Sequence, residues 1–160
     1  MKKAAYIISI LVLLCIAAFL LIRFNLPFLS SYALGRILSG TAHVAEARLG
    51  YQKGIISLYL QNIHIKGSIE GSIKDVKISM DATQGIYFKS VAISDFDVKI
   101  SRSKEGKGFV PFPAELLEVK NGKVAYNKQK FSISEIVIEK MSIGKPFAFR
   151  ADIGPSDYFE

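Results

Sequence analysis

The chain has 160 residues, half of them hydrophobic, and a formal net charge of +7 from 21 basic against 14 acidic residues. A single cysteine excludes an intrachain disulfide, and two histidines with that one cysteine cannot supply a zinc set of nitrogen and sulfur ligands. The basic residues are scattered (Lys53, Lys66, Lys74, Lys77, Lys89, Lys99) rather than clustered, which argues against a nucleic-acid reader and suits a mildly basic exterior beside anionic lipid headgroups.

In chain order, the first feature is the apolar run Ala4–Ile22, bracketed by Lys2-Lys3 and Arg23. The run carries no charge, and as a helix it reaches roughly 28 Å, close to the hydrocarbon thickness of a bilayer. Residues 1–23 are therefore expected to form a single transmembrane anchor. A cleaved signal peptide is the rival, but Phe19-Leu20-Leu21-Ile22 continue past Ala17-Ala18, the only small pair fit for cleavage. A lipoprotein signal fits no better, since Leu14 precedes a mid-run Cys15. The excess of positive charge at Lys2 and Lys3 predicts a cytoplasmic amino terminus, with residues 24–160 on the far side.

Residues 24–42 read as a connector. Pro27 is expected to end or kink the anchor helix, and Ser30-Ser31 to cap a short helix through Tyr32, Ala33, Leu34, Ile37 and Leu38 that Gly40 stops. That helix would lie on the membrane surface or plug the end of the following domain.

From 43 to 160 the hydrophobic period is two, which predicts an extracytoplasmic β domain. Strands are expected from Val44, over Ile55–Lys66, Val76–Asp81, Ile86–Ile100, Phe131–Ile143 and Pro146–Ile153. Ser101–Gly108 reads as a charged loop, and Asn121-Gly122 as the turn of a type I′ hairpin. Together these predict a mainly β fold of roughly seven to nine strands, with the transmembrane helix and a short helix followed by a curved antiparallel repeating sheet.

One pattern recurs in that domain: apolar-x-apolar, two polar residues, apolar-x-apolar. It reads Leu58-Tyr59-Leu60-Gln61-Asn62-Ile63-His64-Ile65, then Val91-Ala92-Ile93-Ser94-Asp95-Phe96-Asp97-Val98, then Phe131-Ser132-Ile133-Ser134-Glu135-Ile136-Val137-Ile138. The polar pair shifts the parity by one, so a flat strand would turn its second half inside out. A bulge or bend at the pair keeps both halves on one core. Repeating units of this kind, 33 and then 40 residues apart, suit a sheet that grows by addition.

An apolar anchor, the segment Leu34-Gly35-Arg36-Ile37-Leu38, and strands of the type Ile56–Ile65 together resemble the amino-terminal region of the AsmA-like superfamily (AsmA/TamB/YhdP-type). The segment Leu117–Tyr126, with its Asn-Gly, is similar to strand segments of the same proteins. The resemblance implies an inner-membrane, single-pass anchor and a periplasmic β-groove. Such a groove binds phospholipid acyl chains or helps transfer phospholipid between membranes in outer-membrane biogenesis. This chain is shorter than is usual there, and at about 3.3 Å per residue a ten-residue strand covers only roughly 33 Å.

The residues expected to face lipid are Ile56, Leu58, Leu60, Val76, Ile78, Met80, Val91, Ile93, Phe96, Val98, Phe131, Ile133, Ile136 and Ile138. A one-sided apolar sheet needs a cover, and acyl chains or a second sheet layer would supply it. The alternative is a non-enzymatic structural subunit that docks on a membrane complex through its sheet. No enzymatic activity, cofactor or metal is expected. His64 falls on the strand face opposite Ile63 and Ile65, and the Asp95/Asp97 pair is what alternation puts on a wet face. No nucleophile elbow, phosphate-binding glycine loop or metal motif occurs.

Overall fold

The computed structural model describes residues 2–38, 40–83, 87–101, 114–126, 129–141, 148–154 and 157–158. One helix, α1 (Lys2–Ile37), precedes eight strands: β1 (Thr41–Gln52), β2 (Ile55–Lys66), β3 (Ile69–Asp81), β4 (Tyr87–Ile100), β5 (Ala114–Tyr126), β6 (Gln129–Met141), β7 (Ala148–Ile153) and the short β8 (Asp157–Tyr158). The protein is mainly β, and β1 to β7 lie side by side in sequence order in one open sheet, with β8 pairing on β6. The expected loop over Ser101–Gly108 lies outside the described residues beyond Ser101.

Three expectations are corrected. First, the helix is one element. It passes through Pro27, which lacks the N–H that would bond Arg23, and runs about 54 Å, with no separate short helix among the described residues. Side chains tie the flanking turns: Asn25 Nδ2 donates to the Leu21 carbonyl at 2.8 Å, and Ser31 Oγ donates to the Pro27 carbonyl at 2.7 Å. Ser31 Oγ also accepts the Val44 N–H at 2.8 Å, which clamps the helix to β1. Ser30 and Ser31 are thus interior helix residues rather than caps. The helix closes where the Gly40 N–H reaches the Gly35 carbonyl at 3.0 Å.

Second, Asn121-Gly122 makes no hairpin. It lies inside β5, which runs unbroken from Ala114 to Tyr126. Third, the sheet is mixed: β4 and β5 pair in parallel, while β1–β2, β2–β3, β3–β4, β5–β6 and β6–β7 are antiparallel.

No helix among the described residues is long and apolar enough to cross a membrane. Within Ala4–Ile22 the described side chains are Leu13, Leu14 and Leu21, each exposed.

The core sits under the carboxyl end of α1. Val44, Leu60, Ile63 and Ile65 are nearly fully buried, and Leu34 of the helix and Leu38 just after it pack against them. Of the two positions expected for this segment, plugging the end of the β domain is the one that the packing of Leu34 and Leu38 matches.

Candidate functional site: the apolar face of the sheet

The face is built by a step that crosses the sheet in a single row. The ladder passes directly from Val44–Ile63 to Glu46–Gln61, from Ile63–Ile73 to Gln61–Asp75, and from Ile73–Phe96 to Asp75–Ser94. It continues from Phe96–Gly122 to Ser94–Lys120 and from Gly122–Ile133 to Lys120–Glu135. The row that is passed over holds Ala45, Asn62, Lys74, Asp95, Asn121 and Ser134. Asn62, Asp95 and Asn121 have φ of 53°, 54° and 52°, the left-handed region that Asn and Asp tolerate better than most residues.

A left-handed residue reverses the alternation of the strand, so Leu60 and Ile63 are buried on one side although they are three apart. Each of β1 to β6 takes this two-residue step at the same height. Because all take it together, β1 to β5 need no extra residue there, whereas β6–β7 slips register between Ile133 and Glu135. Within the passed-over row the left-handed residues are those of β2, β4 and β5, strands that run in one direction.

The register then places the expected lipid-facing residues. Leu60, Val76, Ile93 and Ile136 share one row with Val119. Leu58, Ile78, Val91 and Ile138 share the next with Leu117. On the other side of the step, Phe96 and Ile133 flank Gly122, and Val98 and Phe131 flank Val124. Ile56 is paired with Met80 at the far end. The expected residues therefore occupy one side of one sheet.

Sequence reading missed Ile63, Ile73, Leu117, Val119 and Val124 on the same side. The signal was present, since Leu117-x-Val119-Lys120-Asn121-Gly122-x-Val124 is a copy of the repeat with glycine in place of an apolar residue. The Phe96 ring lies where a side chain at Gly122 would be, filling the gap.

Burial along this face is uneven. Leu60, Val91, Phe96 and Val98 are buried, whereas Ile56, Leu58, Val76, Ile78, Met80, Ile93, Phe131, Ile133, Ile136 and Ile138 are half-buried. Among the described residues the helix reaches β1 and, marginally, β2, and no further strand. β7 is exposed along its whole length.

The opposite face is polar. Gln61 Nε2 donates to Asp75 Oδ1 at 2.7 Å. Glu135 bonds Arg150 at 2.7 Å and Lys120 at 3.3 Å, and these two cations, Lys120 first, hold its carboxyl below the usual range. His64 lies on this face and is exposed, and the fold makes it the ladder partner of His43, 21 residues away in sequence. Asp95 and Asp97 are exposed, with Asp95 on the step itself. Among the described residues no group of three or more His, Cys, Asp or Glu is placed to hold a metal ion.

A scan against protein-family models finds no match for the chain, and a search of curated proteins finds none either.

Proposed function

We propose that the protein is a membrane-anchored, non-enzymatic module whose apolar sheet face binds phospholipid acyl chains and helps phospholipid move between membranes. In this reading residues 1–23 span the inner membrane with the amino terminus in the cytoplasm. The β domain stands in the periplasm, and its sheet curves into a groove at the row of left-handed residues. One observation carries the reading. An apolar face keeps to one side across six strands, while the helix covers it only at β1 and β2. Apolar surface of this extent needs a partner, and chains of lipid match its uniform Ile, Leu, Val and Phe lining.

Native mass spectrometry of the full chain, released from membranes in mild detergent, tests it. Retained phospholipid is the expected result; a protein free of lipid under conditions that preserve the fold would overturn it.

A second reading is favoured by β7. No described strand pairs on its outer edge, its residues are exposed throughout, with Phe149 60% and Ile153 52% exposed, and such an edge is a template for strand addition. The protein would then be a structural subunit docked on a partner through its sheet. That reading predicts a stable complex in mild detergent, without bound lipid.

A further inference from the structure

The polar face carries a cavity that the lipid-binding reading does not use. It has a volume of about 500 Å³ and lies at the β1–β2 turn, the end of the sheet away from Leu34 and Leu38. Its floor is a row of small residues, Gly50, Ser57, Ser79 and Ser90, which are ladder partners across β1 to β4. Ser57 and Ser79 are buried and their hydroxyls bond each other at 3.1 Å, either one able to donate.

Lysines reach its rim by separate structural devices. Lys53 sits in the β1–β2 turn with φ of 49°, followed by Gly54 at 82°, a conformation that lysine rarely adopts. Lys89 occupies the register slip of β4, where the pairing passes from Ser79–Ser90 to Met80–Phe88, and a bulge of this kind re-aims a side chain. Lys77 stands in regular register beside Tyr59, its ammonium 5.3 Å from the ring centroid, which fixes it on the cavity wall. Among the described residues, those lining the cavity include these lysines and no carboxylate.

We infer that this cavity binds a small phosphate-bearing anion through Lys53, Lys77 and Lys89, above the floor of serine hydroxyls. Point-charge ammonium groups with hydroxyl donors beneath them suit a group with several equivalent oxygens. The cavity has room for a phosphorylated polyol, whether that is free in solution or is the headgroup of a membrane lipid. The site lies on the face opposite the acyl-binding one, so each stands or falls alone.

The test uses the full chain in non-ionic detergent, titrated calorimetrically with glycerol 3-phosphate. In parallel, binding is measured to discs of phosphatidylglycerol or of phosphatidylcholine. The Lys77→Gln/Lys89→Gln variant changes only exposed side chains, and Lys123→Gln on β5 is the control of like charge. If the anion is soluble, glycerol 3-phosphate binds saturably and the double variant weakens it by about tenfold or more, with Lys123→Gln within about twofold. If the source is a headgroup, the preference for phosphatidylglycerol discs is lost in the double variant alone. Absence of any response to the double variant in both arms overturns the inference. So does an equal loss with Lys123→Gln, which would reduce the effect to net charge.

Discussion

The β1–β3 half and the β5–β7 half of the sheet carry the same pattern and reach different ends. In the first, Leu60 is 2% and Ile63 1% exposed, because Leu34 and Leu38 close over them. In the second, Val119 and Ile136, in the same row as Leu60, stay half-buried, and β7 is exposed from end to end. A strand pattern decides which side is apolar. What lies on that side decides whether it becomes core. The helix covers the first half, and among the described residues no helix covers the second.

The largest effect that separates the halves is a truncation at equivalent positions. Leu60→Ala should cost about 2–5 kcal/mol, and Ile136→Ala about 1 kcal/mol, because a half-buried side chain surrenders less surface. Urea denaturation of the full chain in detergent reads both, and equal costs would break the comparison.

Next comes the step itself. Gly122→Ala puts a methyl group into the Phe96 ring and should cost about 1–3 kcal/mol, which Phe96→Leu in the same chain would partly restore. At Asp95, φ of 54° favours glycine. Asp95→Gly should be neutral or slightly stabilising, and Asp95→Ala destabilising by about 1 kcal/mol. Thermal melts of the pair decide it; a reversed order would mean that the step is not a left-handed residue.

The smallest effect belongs to the open half. Lys120 and then Arg150 hold the Glu135 carboxyl below its usual 4.5. A depressed folded-state pKa adds stability above the unfolded value, which is lost as pH falls through the folded one. Melting temperature should therefore fall below about pH 4.5 more steeply in the native chain than in Glu135→Gln, and added salt should narrow the gap.

Much of this was legible in the residues. Ile55–Lys66 was bounded as the structure has it, because a segment rich in Ile and Leu lies between Gly54 and Gly67. The parity shift at Gln61-Asn62 and Ser94-Asp95 implied the step. Asn121-Gly122 was misread because a type I′ turn and a left-handed step ask for the same residue, and local chemistry cannot separate them. The parallel β4–β5 pair was hidden in the same place. Asn62, Asp95 and Asn121 all lie in strands of one direction, and β4 and β5 are two of them in succession. The unbroken helix at Pro27 depended on Ser31 and Val44, thirteen residues apart, which no local pattern reports. The cavity on the polar face joins Lys53 of the β1–β2 turn, Lys77 of β3 and Lys89 of β4, and only the register brings them together.

The central claim is that the apolar face is an open surface for acyl chains, and Ile93 tests it most directly. It lies half-buried in β4 between Val76 and Val119, away from the helix. In a closed core, Ile93→Asp would bury an unpaired carboxylate and unfold the domain. On an open face the carboxylate stays hydrated once lipid leaves. The measurement is bound phospholipid together with a melting curve, for Ile93→Asp and for the exposed Lys99→Asp as control. The account predicts a folded Ile93→Asp protein stripped of lipid and an unchanged control; an unfolded Ile93→Asp chain, or a folded one that keeps its lipid, would contradict it.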